Sequence, residues 1–258
     1  MTGHTSADVS RQLKWEQKMY WRNPPAAAFT FALPLVFLVI IVAIHGDAKV
    51  HFGRQTAEFA QYYVPAVIAF SIVSACYTYL AFTLCMRRER GILKRARGTP
   101  LSPTVYLAAM MLSAVVVSVM VSVLVVLLGI TIYGVTWHGR WLGLLVGVGC
   151  GAVAFGALGV AVSTFVPNED AAPAIVNFVL FPLLFISGTF TQISDSSVLS
   201  KIAVLFPARP LIKTMVAVFN PFGTGSGLTF AHIGMLLLWG VIGLAVAVRR
   251  FRWEPQAA

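Results

Sequence analysis

Six apolar stretches, each close to the roughly 20 residues that cross a bilayer, recur along this chain at about 26–44, 59–84, 105–133, 141–165, 171–186 and 230–248. In lipid the backbone must satisfy its own hydrogen bonds, so each stretch is expected to be a helix. Composition points the same way: 58% of the 258 residues are hydrophobic and 11% are charged, where a soluble domain is about 25% charged. A soluble globule of this make-up would lack the polar surface to cover itself. The predicted class is an all-α polytopic membrane protein with six transmembrane helices. No linker divides residues 1–258, so a single domain is expected.

Two regions outside the six stretches also carry pattern. Residues 10–23 are amphipathic and predict an N-terminal helix lying at the interface, with Pro24-Pro25 opening the first span behind it. Residues 188–228 mix Gly, Ser, Thr and Pro with apolar runs at 201–206 and 211–219 that are too short to span and too apolar for a free loop. They predict short re-entrant helices on the outer side, whose ends protein must shield.

The 19 basic and 9 acidic residues give a net charge of +10, and its distribution sets an expected orientation. An inside N-terminus collects Arg11, Lys14, Lys18 and Arg22, then the cluster from Arg87 to Arg97, then Arg249, Arg250 and Arg252 on the cytoplasmic side. Only Lys49, Arg54, Arg140, Lys201, Arg209 and Lys213 fall outside. Both termini are therefore predicted to be cytoplasmic; a bacterial cell (cytoplasmic) membrane is the expected location. The charge is spread over loops rather than massed on a folded basic face, which argues against a nucleic-acid partner. Cys76, Cys85 and Cys150 have neither disulfide-framework nor metal-site spacing, so no metal is expected. The polar N-terminus lacks the short apolar core of a removable signal peptide.

The most informative stretch is residues 86–103, MRRERGILKRARGTPLSP, between the second and third spans. Arg87, Arg88, Arg90, Lys94, Arg95 and Arg97 surround Ile92 and Leu93, and Glu89 is the one acid. This predicts a short amphipathic helix over about 87–98, ended by Gly98 and followed by a Thr99-Pro100-Leu101-Ser102 turn. The order of Glu89, Gly91, Ile92-Leu93-Lys94-Arg95 and Thr99-Pro100-Leu101-Ser102 closely resembles the coupling segment of ABC-2 type transporter permeases. The resemblance runs along most of the chain. Residues 10–23 look like that family's connecting helix, and Asn168-Glu169-Asp170 resembles its short polar turn after span four. Phe181-Pro182 through Ser187-Gly188 is similar to its span-five end. Pro207-Ala208-Arg209-Pro210-Leu211 departs from the Asn-Pro-Leu that many members carry after this region.

The resemblance implies a permease that works with separate cytoplasmic ATPase subunits, two per complex, and with a second permease copy or a paralogue. ATP and Mg would be bound by those ATPase subunits, with no cofactor in this chain. No GxxxxGK[ST] occurs in the sequence to cradle phosphates, so the chain itself is not expected to be an enzyme. Arg88, Glu89, Gly91, Ile92, Leu93, Lys94 and Arg95 would form the ATPase contact, with Glu89 making a polar contact or a cap and Ile92 and Leu93 anchoring. Asn168, Glu169 and Asp170 would form a second cytoplasmic contact. The family resemblance implies export of an amphipathic or hydrophobic small molecule or lipid, such as a drug or antibiotic. Export of a polysaccharide or glycolipid is the alternative within the family.

Phe181, Phe185, Phe190 and Met215 are candidates to line an apolar route for the cargo. Ser187 and His232 suggest an intramembrane serine protease, but Phe185 stands where the Gly-x-Ser-Gly signature needs a glycine. All nine acids fall outside the six stretches, which disfavours a proton-driven carrier. Gly143, Gly147, Gly151, Gly156 and Gly159 recur on the fourth span at a spacing that lets helices approach closely.

Overall fold

In a computed structural model, which describes residues 5–46, 48–99, 101–190, 198–223 and 225–251, most of the described chain is helical. Helix α1 (Thr5–Trp21) leads through Asn23 to α2 (Pro24–His45), where Pro24 and Pro25 occupy the first turn and give up donors that would have no partner there. Helix α3 (Phe59–Val73) continues through a π-helical turn at Ser74–Thr78 into α4 (Tyr79–Glu89), making one rod of 31 residues. Then follow α5 (Ile92–Arg97), α6 (Pro103–Tyr133), α7 (Trp141–Ser163), α8 (Ala172–Ser187), α9 (Val198–Ala203), α10 (Ala208–Phe219) and α11 (Phe230–Arg250).

Among the described residues, five helical segments have the length and apolarity to cross a bilayer: α2, the α3–α4 rod, α6, α7 and α11. The stretch expected at 171–186 is a helix, but α8 has only 16 residues. At 1.5 Å per residue it is about 24 Å long, short of a hydrocarbon core of about 30 Å. The all-helical expectation also missed a small antiparallel hairpin, β1 (Lys49–Phe52) with β2 (Gln55–Glu58), in which Lys49 faces Glu58 and Phe52 faces Gln55. Its two-residue turn uses Gly53 at φ 67°, a conformation that costs glycine nothing.

The α3–α4 rod is the axis of the bundle. Every residue of α3 is buried, with α2, α6, α7 and α10 packed against it. The glycines of α7 permit this density. A methyl group added at Gly159 would lie 2.6 Å from the carbonyl oxygen of Tyr77, so α7 rides directly on the backbone of the π-helical turn.

The segment after α8 folds back into the bundle. Tyr62 Oη donates to Gly188 O at 2.6 Å near the hairpin end, but Leu205 O accepts from Trp239 Nε1 at 2.8 Å, half-way along α11. Leu211 packs against Gly151, half-way along α7, and α10 then climbs back until Phe219 O accepts from Gln61 Nε2 at 2.7 Å. Residues 191–197 and 224 of the region expected to re-enter lie outside the described residues. So do Pro100 and residues 252–258, with the Arg252 counted for orientation.

Candidate functional site

The segment from Met86 to Ser102 is built differently from the single helix expected over 87–98. Arg87, Arg88 and Glu89 form the last turn of α4, and the chain then breaks at Gly91, whose φ of 67° ends one helix and starts the next. Only Ile92–Arg97 form the separate helix α5. Pro103 at the first position of α6 and Ser102 Oγ, accepting from Val105 N at 3.3 Å, start the following span.

The break at Gly91 separates two kinds of cation. Arg87 is buried and donates from both Nη atoms to the carboxylate of Glu16 on α1, at 2.9 and 2.7 Å. Its Nη1 also donates to Tyr106 Oη on α6 at 2.6 Å. Glu16 is 2% exposed and accepts a further bond from Gln12 Nε2 at 3.0 Å. A bidentate pair of this kind fixes angle as well as distance, so α1, α4 and α6 are locked together at one point. Gln17 on α1 reinforces the lock by donating to Ser113 O and Oγ on α6.

Arg88 corrects the expectation for that residue. It is 3% exposed and points into the protein, donating to Ser163 O at 2.9 Å and to Val166 O. It caps the end of α7, where a cation meets the negative pole of the helix dipole and satisfies carbonyls that no helical N–H can reach. Leu93 is corrected likewise: it is 1% exposed and fastens α5 to the bundle, so it offers no free anchor. What faces outward is Ile92, Lys94, Arg95 and Arg97, with Glu89 half-buried at the end of α4.

The turn after α7 comes to the same place. Arg90 Nε lies 3.3 Å from Glu169 Oε2, so the polar turn and the basic segment are joined by an exposed ion pair. Asn168 Oδ1 accepts from Ala171 N at 2.8 Å and shapes the entry to α8, while Asp170 is exposed. The residues missed at this end are Glu16, Gln17 and Tyr106. Their one signal in the sequence is an acid among the bases of an amphipathic helix.

Of the four residues expected along a cargo route, Phe185 and Phe190 meet, while Met215 lies apart from them. Phe181 and Phe185 stand exposed on the outer face of α8, and Phe190 packs its ring 5.1 Å from Phe185 and 5.9 Å from Phe37. Met215 is fully buried in α10, where its methyl group fills the space above Gly147, so it lines no route. An apolar cleft of about 350 Å³ lies elsewhere, between α7, α8 and α11, walled by Tyr77, Phe155, Leu158, Phe178, Leu183 and Trp239. A second hollow of about 340 Å³ at the hairpin end is polar, and His51, Tyr62, Arg209, Lys213 and His232 line it.

Ser187 does not make a nucleophile's arrangement. Its hydroxyl is buried at the end of α8, donates to Leu184 O at 2.8 Å and lies 2.9 Å from Thr189 Oγ1. Its carbonyl accepts from Arg209 Nη1 at 2.9 Å. The serine thus closes a helix end, and His232 belongs to the polar hollow.

No curated protein matches the chain. The model of the ABC-2 type transporter family matches residues 9–220, from within α1 to just past α10. The chain therefore belongs to the ABC-2 type transporters, as a multi-pass membrane component that pairs with an ABC ATPase.

Proposed function

We propose that this chain is the transport subunit of an ATP-driven exporter that moves an amphipathic or hydrophobic molecule outward across a bacterial cytoplasmic membrane. Both termini and α5 face the cytoplasm. A second copy or a paralogue completes the permease, and two ABC ATPase subunits, holding ATP and Mg, bind beneath it.

The observation that carries this reading is the mounting of α5. Its outward face presents Lys94, Arg95 and Arg97, while Leu93 and the buried arginines just before it tie the same segment to α1, α6 and α7. A force applied to the exposed face has no slack to take up before it reaches the α3–α4 rod. Nucleotide-driven closure of the ATPases would then tilt that rod rather than bend a loop. Arg90 and Glu169 add a second, weaker strut from the neighbouring turn.

The test is reconstitution of the chain with its ABC ATPase in proteoliposomes, with ATP hydrolysis and accumulation of a lipophilic dye measured together. ATP-dependent dye movement is expected. In Glu89→Ala, hydrolysis should persist while transport is lost and the protein still inserts; normal transport by that variant contradicts the coupling role. Dye movement that is indifferent to ATP contradicts the exporter itself.

A further inference from the structure

The cleft between α7, α8 and α11 is where the proposed cargo has the chemistry of a site. Its floor is Phe155 and Leu158 of α7, one wall is Phe178 and Leu183 of α8, and the far side is Trp239 of α11, with Tyr77 at the back. Among the described residues, no charged side chain lines it. The two side-chain polar groups of the lining are already used: Tyr77 Oη donates to Val176 O at 3.3 Å, and Trp239 Nε1 donates to Leu205 O. A ligand there gains burial of apolar surface and, among the described lining residues, finds no side-chain group left to recognise a polar head.

The cleft opens onto an exposed apolar face of the bundle. Phe178 at its rim is 81% exposed, and Leu238 and Val241 beside Trp239 are exposed as well. Its volume of about 350 Å³ falls in the range of small-molecule sites, about 300–1,000 Å³. Tyr77 also sits in the π-helical turn of the rod whose far end carries Arg87 and Arg88. Such turns are frequent at functional positions, and here Gly159 of α7 lies against the turn's own carbonyls. One wall of the cleft therefore belongs to the element that α5 would move.

Resting on the exporter reading, we infer that this cleft takes the apolar ring system or alkyl tail of a membrane-dissolved small molecule, entering sideways from the bilayer between α8 and α11. The polar part of that molecule stays at the mouth. A motion of the rod shifts Tyr77 and changes the shape of the back wall.

The experiment uses the permease with its ABC ATPase in nanodiscs and an alkyl-phenyl diazirine as photoprobe, competed by unlabelled alkylbenzene, with labelled residues mapped by mass spectrometry. Saturable, competed labelling at Leu158, Phe178 and Leu183 is expected. In Leu183→Trp, and independently in Leu158→Phe, each checked for an unchanged melting temperature, saturable labelling should weaken about tenfold or more because bulk fills the space. Labelling that rises linearly with probe and covers Phe29, Leu127 and Ile132 as densely as the cleft overturns the proposal. So does competition by bilayer phospholipid alone, which would make the cleft a lipid contact. If ATP drives dye transport while the cleft shows no saturable labelling, the site fails and the exporter stands. If labelling saturates but ATP drives nothing, the site stands and the exporter fails.

Discussion

Arg87 and Arg88 on one side of Gly91, and Lys94, Arg95 and Arg97 on the other, share one short basic segment and have opposite environments. The first two are buried and hydrogen-bonded to α1, to α6 and to the end of α7. The other three face outward. The difference lies in what approaches each position from elsewhere in the chain. Glu16 arrives from α1, and the carbonyls of Ser163 and Val166 arrive from the end of α7 and the turn after it, while among the described residues nothing covers the outer face of α5. The lesson is a division of labour: the arginines before the glycine hold the segment, and the cations after it are left for a partner.

Breaking the buried side should have the largest effect. Glu16→Ala or Arg87→Ala leaves a lone charge in the interior and should cost about 3–5 kcal/mol of stability. Chemical denaturation in detergent would measure this, and the paired Glu16→Leu, Arg87→Met change should recover most of the loss. Arg88→Met comes next. It strands the carbonyls of Ser163 and Val166 and should cost about 1–3 kcal/mol, seen as early loss of protection from hydrogen exchange at the end of α7. The exposed pair is weakest: Arg90→Gln should cost about 0–1 kcal/mol, an effect that high salt abolishes because solvent screens it. If Arg90→Gln proved as damaging as Arg87→Ala, burial would not be the property that divides this segment.

Much of the bundle was legible because its signals are local. Pro24-Pro25 and Ser102-Pro103 announce helix starts, and long apolar runs announce helices that can cross a membrane. The polar turn Asn168-Glu169-Asp170 was expected only as a second cytoplasmic contact; that Glu169 pairs with Arg90 was not legible in the sequence. Long-range pairing was not legible. Glu16 and Arg87 are 71 positions apart, and no periodicity joins them. Met215 and Phe181 illustrate a second limit: in a membrane bundle both the lipid-facing and the inward faces are apolar, so residue type does not say which one a side chain occupies. The hairpin at Lys49–Glu58 was missed because strands of four residues are too short for an alternation to stand out beside Val50 and Phe52. The helix break at Gly91 was missed because glycine at that place was read only as part of a family motif, when its positive φ decides where α5 begins.

The most direct measurement concerns the outward face alone. Lys94→Glu, Arg95→Glu and Arg97→Glu, made together, should leave the melting temperature of the isolated permease unchanged while its ABC ATPase no longer co-purifies and ATP-driven transport stops. A reversed face that still retains the ATPase and transports at the normal rate would contradict the assignment of α5 as the docking element.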